Sequence, residues 1–283
     1  MRVSPPRVFP EAAGAPRPAA GSPGADAHRQ AGFVLGNEVD SVLLGLELEG
    51  EVAAASAGSK FRTQPTASGL AMWSRSWLSR LEALHAVQCG NYTASFPLLR
   101  AAADYEAAGL ALLDVSKEEW TEWLAEGGIG LAAAAHATEF KLHAFRSAET
   151  LAANPALADV YRIATDLSLP HFGATALLAA SESTAERMAV TFGDRDFHLG
   201  LAEIALGLLL SLGTIRVAAL AAHPAVFAPR QDDAFAKWLA GATKAIDRAD
   251  RCRVTAHDDD GERRHLIVNW RRTPSAAAKR MLL

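Results

Sequence analysis

The segment Ile204 to Ile215 runs without a charged side chain, bounded by Glu203 on one side and Arg216 on the other. At 1.5 Å per residue it falls short of the hydrocarbon core of a bilayer, which is about 30 Å thick. It is apolar on every side, so a helix made from it has no wet face and must be surrounded by other helices. That requirement predicts a central buried helix inside a bundle. The rest of the chain agrees: it is rich in Ala, Leu, Glu and Arg and poor in aromatic and β-branched runs, a composition that favours helix over strand. With 283 residues, half of them hydrophobic, it can bury one large core or two small ones.

Four segments follow. Residues 1–30, rich in Pro, Gly and Ala and without apolar periodicity, are expected to form a disordered leader. Residues 31–65 supply a helix over 33–56 and a Gly- and Ser-rich connector. Residues 66–224 form the bundle core. In it, Trp73, Trp77, Leu81, Leu84 and Val87 recur at helical spacing until Cys89-Gly90, and Ser116-Lys-Glu-Glu119 opens a short helix bearing Trp120 and Trp123. Further helices are expected through His136 to Phe145, over 156–167, over 174–191 and over 198–222. Residues 225–283 hold a helix over 232–248, a β-hairpin and a basic tail. The hairpin pairs Arg251–His257 with Arg263–Trp270 around the turn Asp258 to Gly261. The fold class is therefore all-α, a helical bundle with a small C-terminal β-hairpin appendage.

The formal charge is −4 and the pI near 6.1. The charge is uneven: residues 251–283 carry +4, so the preceding 250 carry −8. An acidic body argues against wholesale binding to nucleic acid or to an anionic membrane, although a basic tail is able to touch phosphate. Two isolated cysteines make neither a disulfide framework nor a zinc pattern, and the first residues lack the apolar core of a signal peptide. A cytoplasmic protein without membrane partner is the expectation, with homodimerisation through a helix pair. No phosphate-cradling glycine loop, nucleophile elbow or Cys-x-x-Cys is present, and no cofactor or metal is expected.

Charged groups inside apolar helices mark the candidate site. Glu106 falls in the stripe of Leu99, Ala103, Leu110 and Leu113, while Arg100 and Asp104 share its flank at i and i+4. A buried carboxylate needs a partner or a proton. Arg100 and Asp104 are accordingly expected within hydrogen-bond reach, and Glu106 is expected to be buried. Asp166-Leu-Ser168-Leu-Pro-His171 sets a histidine between a helix end and a turn, where it suits acid/base work. His198 is placed to join it in the core or to cap the next helix. His136, Glu139 and His143 share one helical sector and have the donor types of a metal site, with a solvated polar face as the simpler reading.

Gly90-Asn91-Tyr92 leading into Leu98-Leu99-Arg100-x-x-x-Asp104, followed by Tyr161-Arg162 and Leu167-Ser168-x-x-His171, resembles an uncharacterised bacterial all-helical family related to HEPN proteins. In that family an Arg-x-x-x-Glu helix and a Leu-Ser-x-x-x-His segment recur. This chain departs from the pattern with Asp at position 104 and one residue fewer before His171. The likeness covers about residues 90–215. HEPN ribonucleases also carry Arg-x(4–6)-His on a helix, a spacing met by Arg80 to His85 and by Arg216 to His223, both without the usual polar residue after the arginine. The reading is thus a helical bundle of HEPN-like character whose polar cluster draws on Arg100, Asp104 and His171 as catalytic candidates and Glu106, Ser168 and His198 as ligand-binding candidates. Two functions follow: a binding or interaction module, or an enzyme on a phosphate-bearing substrate such as RNA, with Arg100 on phosphate and His171 as acid or base.

Overall fold

The computed structural model describes residues 3–57, 63–113, 147–170, 172–184, 186–224, 226–228, 233–259 and 261–282. Among these, eight helices and three strands follow in the order α1 (Ala25–Ser56), α2 (Gln64–Gln88), α3 (Tyr92–Ala111), α4 (Ser147–Ala153), α5 (Pro155–Ser168), α6 (Phe172–Ala179), α7 (Leu199–Ala222), α8 (Ala234–Ile246), β1 (Arg253–Asp259), β2 (Glu262–Trp270) and β3 (Lys279–Leu282). The helices expected around Trp120 and through His136 to Phe145 lie outside the described residues, as do His136, Glu139 and His143 themselves.

The apolar run becomes the middle of α7, which packs against α1, α2, α3, α5 and α8 and buries Leu206, Leu210 and Leu212 completely. Extended by its flanks, α7 reaches a length and hydropathy sufficient to cross a bilayer, yet most of it is enclosed by the other helices. Trp238 of α8 wedges between α1 and α7. A Cβ placed on Gly45 or Gly213 would come within 2.5 Å and 2.6 Å of the indole, so the wedge needs a glycine on both helices.

Helices α2 and α3 form a hairpin across a tight turn at Cys89–Asn91. Thr63 and Thr66 cap the start of α2 reciprocally, so residues 64 and 65, placed with the connector, belong to the helix. Pro97 sits beyond the first turn of α3, in the helix interior. The helix expected over 174–191 ends at Ala179. There Thr191 donates its N–H to Ala179 O, and Thr184 and Arg187 exchange backbone hydrogen bonds, which closes a loop in place of further helical turns.

The hairpin forms with Asp259 opposite Glu262, and a third strand, β3, pairs antiparallel with β2. Ile267 and Trp270 are buried and fix this small sheet to the bundle, as an otherwise marginal hairpin requires. The leader differs from the expectation of a disordered segment. Ala15 donates its N–H to Gln88 Oε1 at 2.7 Å, Ala13 O lies 2.7 Å from His85 Nε2, and Ala15 O lies 3.1 Å from His28 Nε2. Val8 and Ala12 pack on the core. Residues 7–15 thus form an extended strap over α1 and α2, held largely through main-chain groups that hydropathy patterning does not register.

Candidate functional site

Helices α1, α2, α3 and α7 each contribute one charged side chain to the middle of the bundle. Glu49 receives Arg80 in a two-pronged pair, Nη1 to Oε1 at 2.7 Å and Nη2 to Oε2 at 2.5 Å, and Trp73 Nε1 donates to Oε2 at 3.0 Å. Glu106 receives Arg216 through Nη2 at 2.8 Å and Nε at 3.2 Å, both on Oε2, with Ser76 Oγ donating to the same oxygen at 3.2 Å. All four charged side chains are at most 2% exposed. The Arg216 guanidinium also stands 5.2 Å from the Trp73 ring, so one indole touches both pairs. Burial opposes the charge on Arg80, but the Glu49 carboxylate, by charge and by hydrogen bond, more than restores it and its pKa rises. The set is not fully satisfied: Glu106 Oε1 and Arg80 Nε have no hydrogen-bond partner.

Glu106 is buried as its stripe position requires, but its cation comes from α7. Arg100 lies elsewhere and does not pair with Asp104 as expected. Its Nη2 reaches the Tyr161 hydroxyl at 3.5 Å, and the guanidinium stands 5.7 Å from that ring. This pairing ties α3 to α5. Asp104 is half-buried beside it, and burial raises its carboxyl above the ordinary aspartate range against the pull of Arg100. Ser168 is turned back on its own helix, donating to Ala164 O. His171 lies outside the described residues.

His198 is 1% exposed at the N-cap of α7, where Nε2 meets Asp194 Oδ2 at 3.0 Å and the ring stands edge-on to Tyr92 at 5.7 Å. Burial, followed by the nearby Arg272, lowers its pKa, so the neutral imidazole prevails at neutral pH. Both loose ribonuclease-like spacings dissolve into structural roles. Arg80 and Arg216 are the core partners just described, His85 holds the strap, and His223 Nδ1 lies 2.9 Å from Ala219 O in its own helix.

A second polar cluster fastens the C-terminal region. Arg251 donates to Glu38 Oε2 at 2.6 Å and to Glu203 O at 2.5 Å, Arg248 bridges Glu38 and Glu203, and Cys252 N–H donates to Glu203 Oε2 at 2.9 Å. Among the described residues no three metal-ligating side chains are gathered.

Beside the Glu49–Arg80 pair lies a cavity of about 210 Å³, lined by Glu49, Gly50, Ala53, Leu70, Trp73, Ser74, Trp77 and Leu78 and roofed by strap residues Arg7 to Pro10. The indole nitrogens of its two tryptophans are committed inward, Trp73 to Glu49 and Trp77 to Leu46 O at 2.9 Å, which turns apolar ring surface toward the cavity. Phe9 and Leu78 at the rim are 81% and 50% exposed. A strap packed over two tryptophans left no trace in the spacing of the leader. The only available signal was Arg80 and Glu49, each a charge interrupting an apolar helical stripe.

Comparisons with protein-family models, with curated proteins and with solved structures give no match to this chain.

Proposed function

We propose that this protein is a binding module that takes a small, largely apolar ligand in the cavity between the strap and helices α1 and α2. The observation that carries the reading is that cavity, walled by Trp73, Trp77, Leu70 and Leu78 and floored by a carboxylate already neutralised by Arg80. Sites for small ligands are concave, mostly apolar and supplied with a few fixed polar groups. At about 210 Å³ the cavity has the volume of roughly seven waters, so it suits a ligand of about ten non-hydrogen atoms. The core ion pairs support a scaffold role, because Glu49 and Glu106, buried in the middle of the bundle, are each paired with an arginine. Homodimerisation and a cytoplasmic location belong to the same reading.

The test is a thermal-shift screen of small apolar compounds against the full chain and against Ser74→Phe, which fills the exposed side of the cavity. Compounds that raise the melting temperature of the natural chain and lose the effect in the variant support the reading. It fails if no compound stabilises the protein, if Ser74→Phe changes nothing, or if the protein cleaves RNA in a manner that Arg100→Ala abolishes.

A further inference from the structure

We infer that the cavity ligand is an amphipathic monocarboxylate, its apolar body against Trp73 and Trp77 and its carboxylate on Arg7 at the rim. This rests on the binding reading above and names the ligand class. Among the residues lining the cavity the formal charges are Glu49 and Arg7. Both Glu49 oxygens are taken up, by Arg80 and by the Trp73 indole. Arg7 is exposed and forms no ion pair with the described residues, so among them the lining carries one positive charge without a carboxylate partner. A guanidinium fork matches a carboxylate in shape and charge.

The apolar part of the ligand is set by the opposite end. Trp73 and Trp77 are buried and present their ring surface, and Leu70, Ala53 and Val8 close the sides. Phe9 and Leu78, exposed at the rim, have apolar area to lose when a ligand's chain or ring lies between them. The strap is anchored at residues 13–15 by its hydrogen bonds to Gln88, His85 and His28 and at Val8 by packing on the core, which leaves the exposed side chains of Arg7 and Phe9 to adjust to the ligand. An anion at the rim and an apolar body against the two tryptophans is the pattern of a medium-chain fatty acid or an arylacetate.

The test titrates the full-length protein with octanoate, octanol and octylammonium, following tryptophan fluorescence and calorimetry. The expected order of affinity is octanoate, then octanol, then octylammonium. Arg7→Gln should weaken octanoate about threefold to tenfold, leave octanol unchanged and bring the two together. Equal binding of octanoate and octanol, unaltered by Arg7→Gln but lost in Ser74→Phe, overturns the carboxylate assignment and leaves the binding module standing. Absence of binding by all three, or binding that Ser74→Phe does not touch, overturns both.

Discussion

Replacing Arg216 with Met keeps a long side chain between α3 and α7 and removes only its charge and donors. Glu106, 0% exposed, would then retain a single hydrogen bond, from Ser76, with its other oxygen already unpartnered. Breaking one half of a buried ion pair costs about 3–5 kcal/mol, chiefly because the surviving charge stays buried and unpaired. At about 2–4 °C per kcal/mol for a protein approaching this size, Arg216→Met should melt of the order of 10 °C lower. Glu106→Leu alone should cost less, since the Arg216 guanidinium keeps the Trp73 ring as a neighbour. The double variant Glu106→Leu with Arg216→Met removes both charges and fills the space with apolar groups. It should lie within about 2 kcal/mol of the natural chain, because a buried pair replaced by packed hydrophobes is often neutral or stabilising. Chemical denaturation of the four proteins measures the coupling directly, with an expected interaction energy of at least about 2 kcal/mol. If the double variant is as unstable as the sum of the singles, or Arg216→Met melts with the natural chain, the argument from buried charge is wrong.

Two further perturbations test particular positions. Gly90 has φ +68°, and a Cβ there would lie 2.2 Å from Arg195 O, whereas Gly193 has φ +69° with open space around it; Gly90→Ala should therefore cost clearly more than the roughly 1 kcal/mol expected of Gly193→Ala, as read from denaturant midpoints. Asp104, whose pKa burial raises, binds its proton more tightly folded than unfolded, so its ionisation costs stability at neutral pH and that cost fades as pH falls through the raised value. Asp104→Asn should melt slightly higher than the natural chain at pH 7, with the difference closing toward pH 4; a difference that grows on acidification would reverse the assigned sign.

Much of the bundle was legible because burial writes itself into spacing. The Trp73, Trp77, Leu81, Leu84, Val87 stripe, the α7 run and the place of Glu106 among leucines each follow from 3.6 residues per turn. The hairpin was legible for the same kind of reason, its period of two and its Asp-Gly turn being local. Partners were another matter. Arg216 is 110 residues from Glu106, and the docking of α3 on α7, not any local pattern, selects it over the nearer Arg100. Arg80 and Glu49 were hidden as polar interruptions of two separate stripes whose meaning appears only when the helices meet. The strap escaped because its hydrogen bonds run through the main-chain groups of Ala13 and Ala15, and β3 because so short a strand carries little pattern of its own.

Glu38, in the first helix, is held by Arg248 and Arg251, which follow it by 210 and 213 residues. A chain made at about 5–20 residues per second leaves that carboxylate waiting roughly 10–40 s for its partners to be synthesised. During translation, then, α1 reaches the outside of the ribosome with a charge on the face it must bury, and that charge finds its partners only when Arg248 and Arg251 emerge. A chain cut short before Arg248 is a bundle whose Glu38 has lost both arginines that hold it.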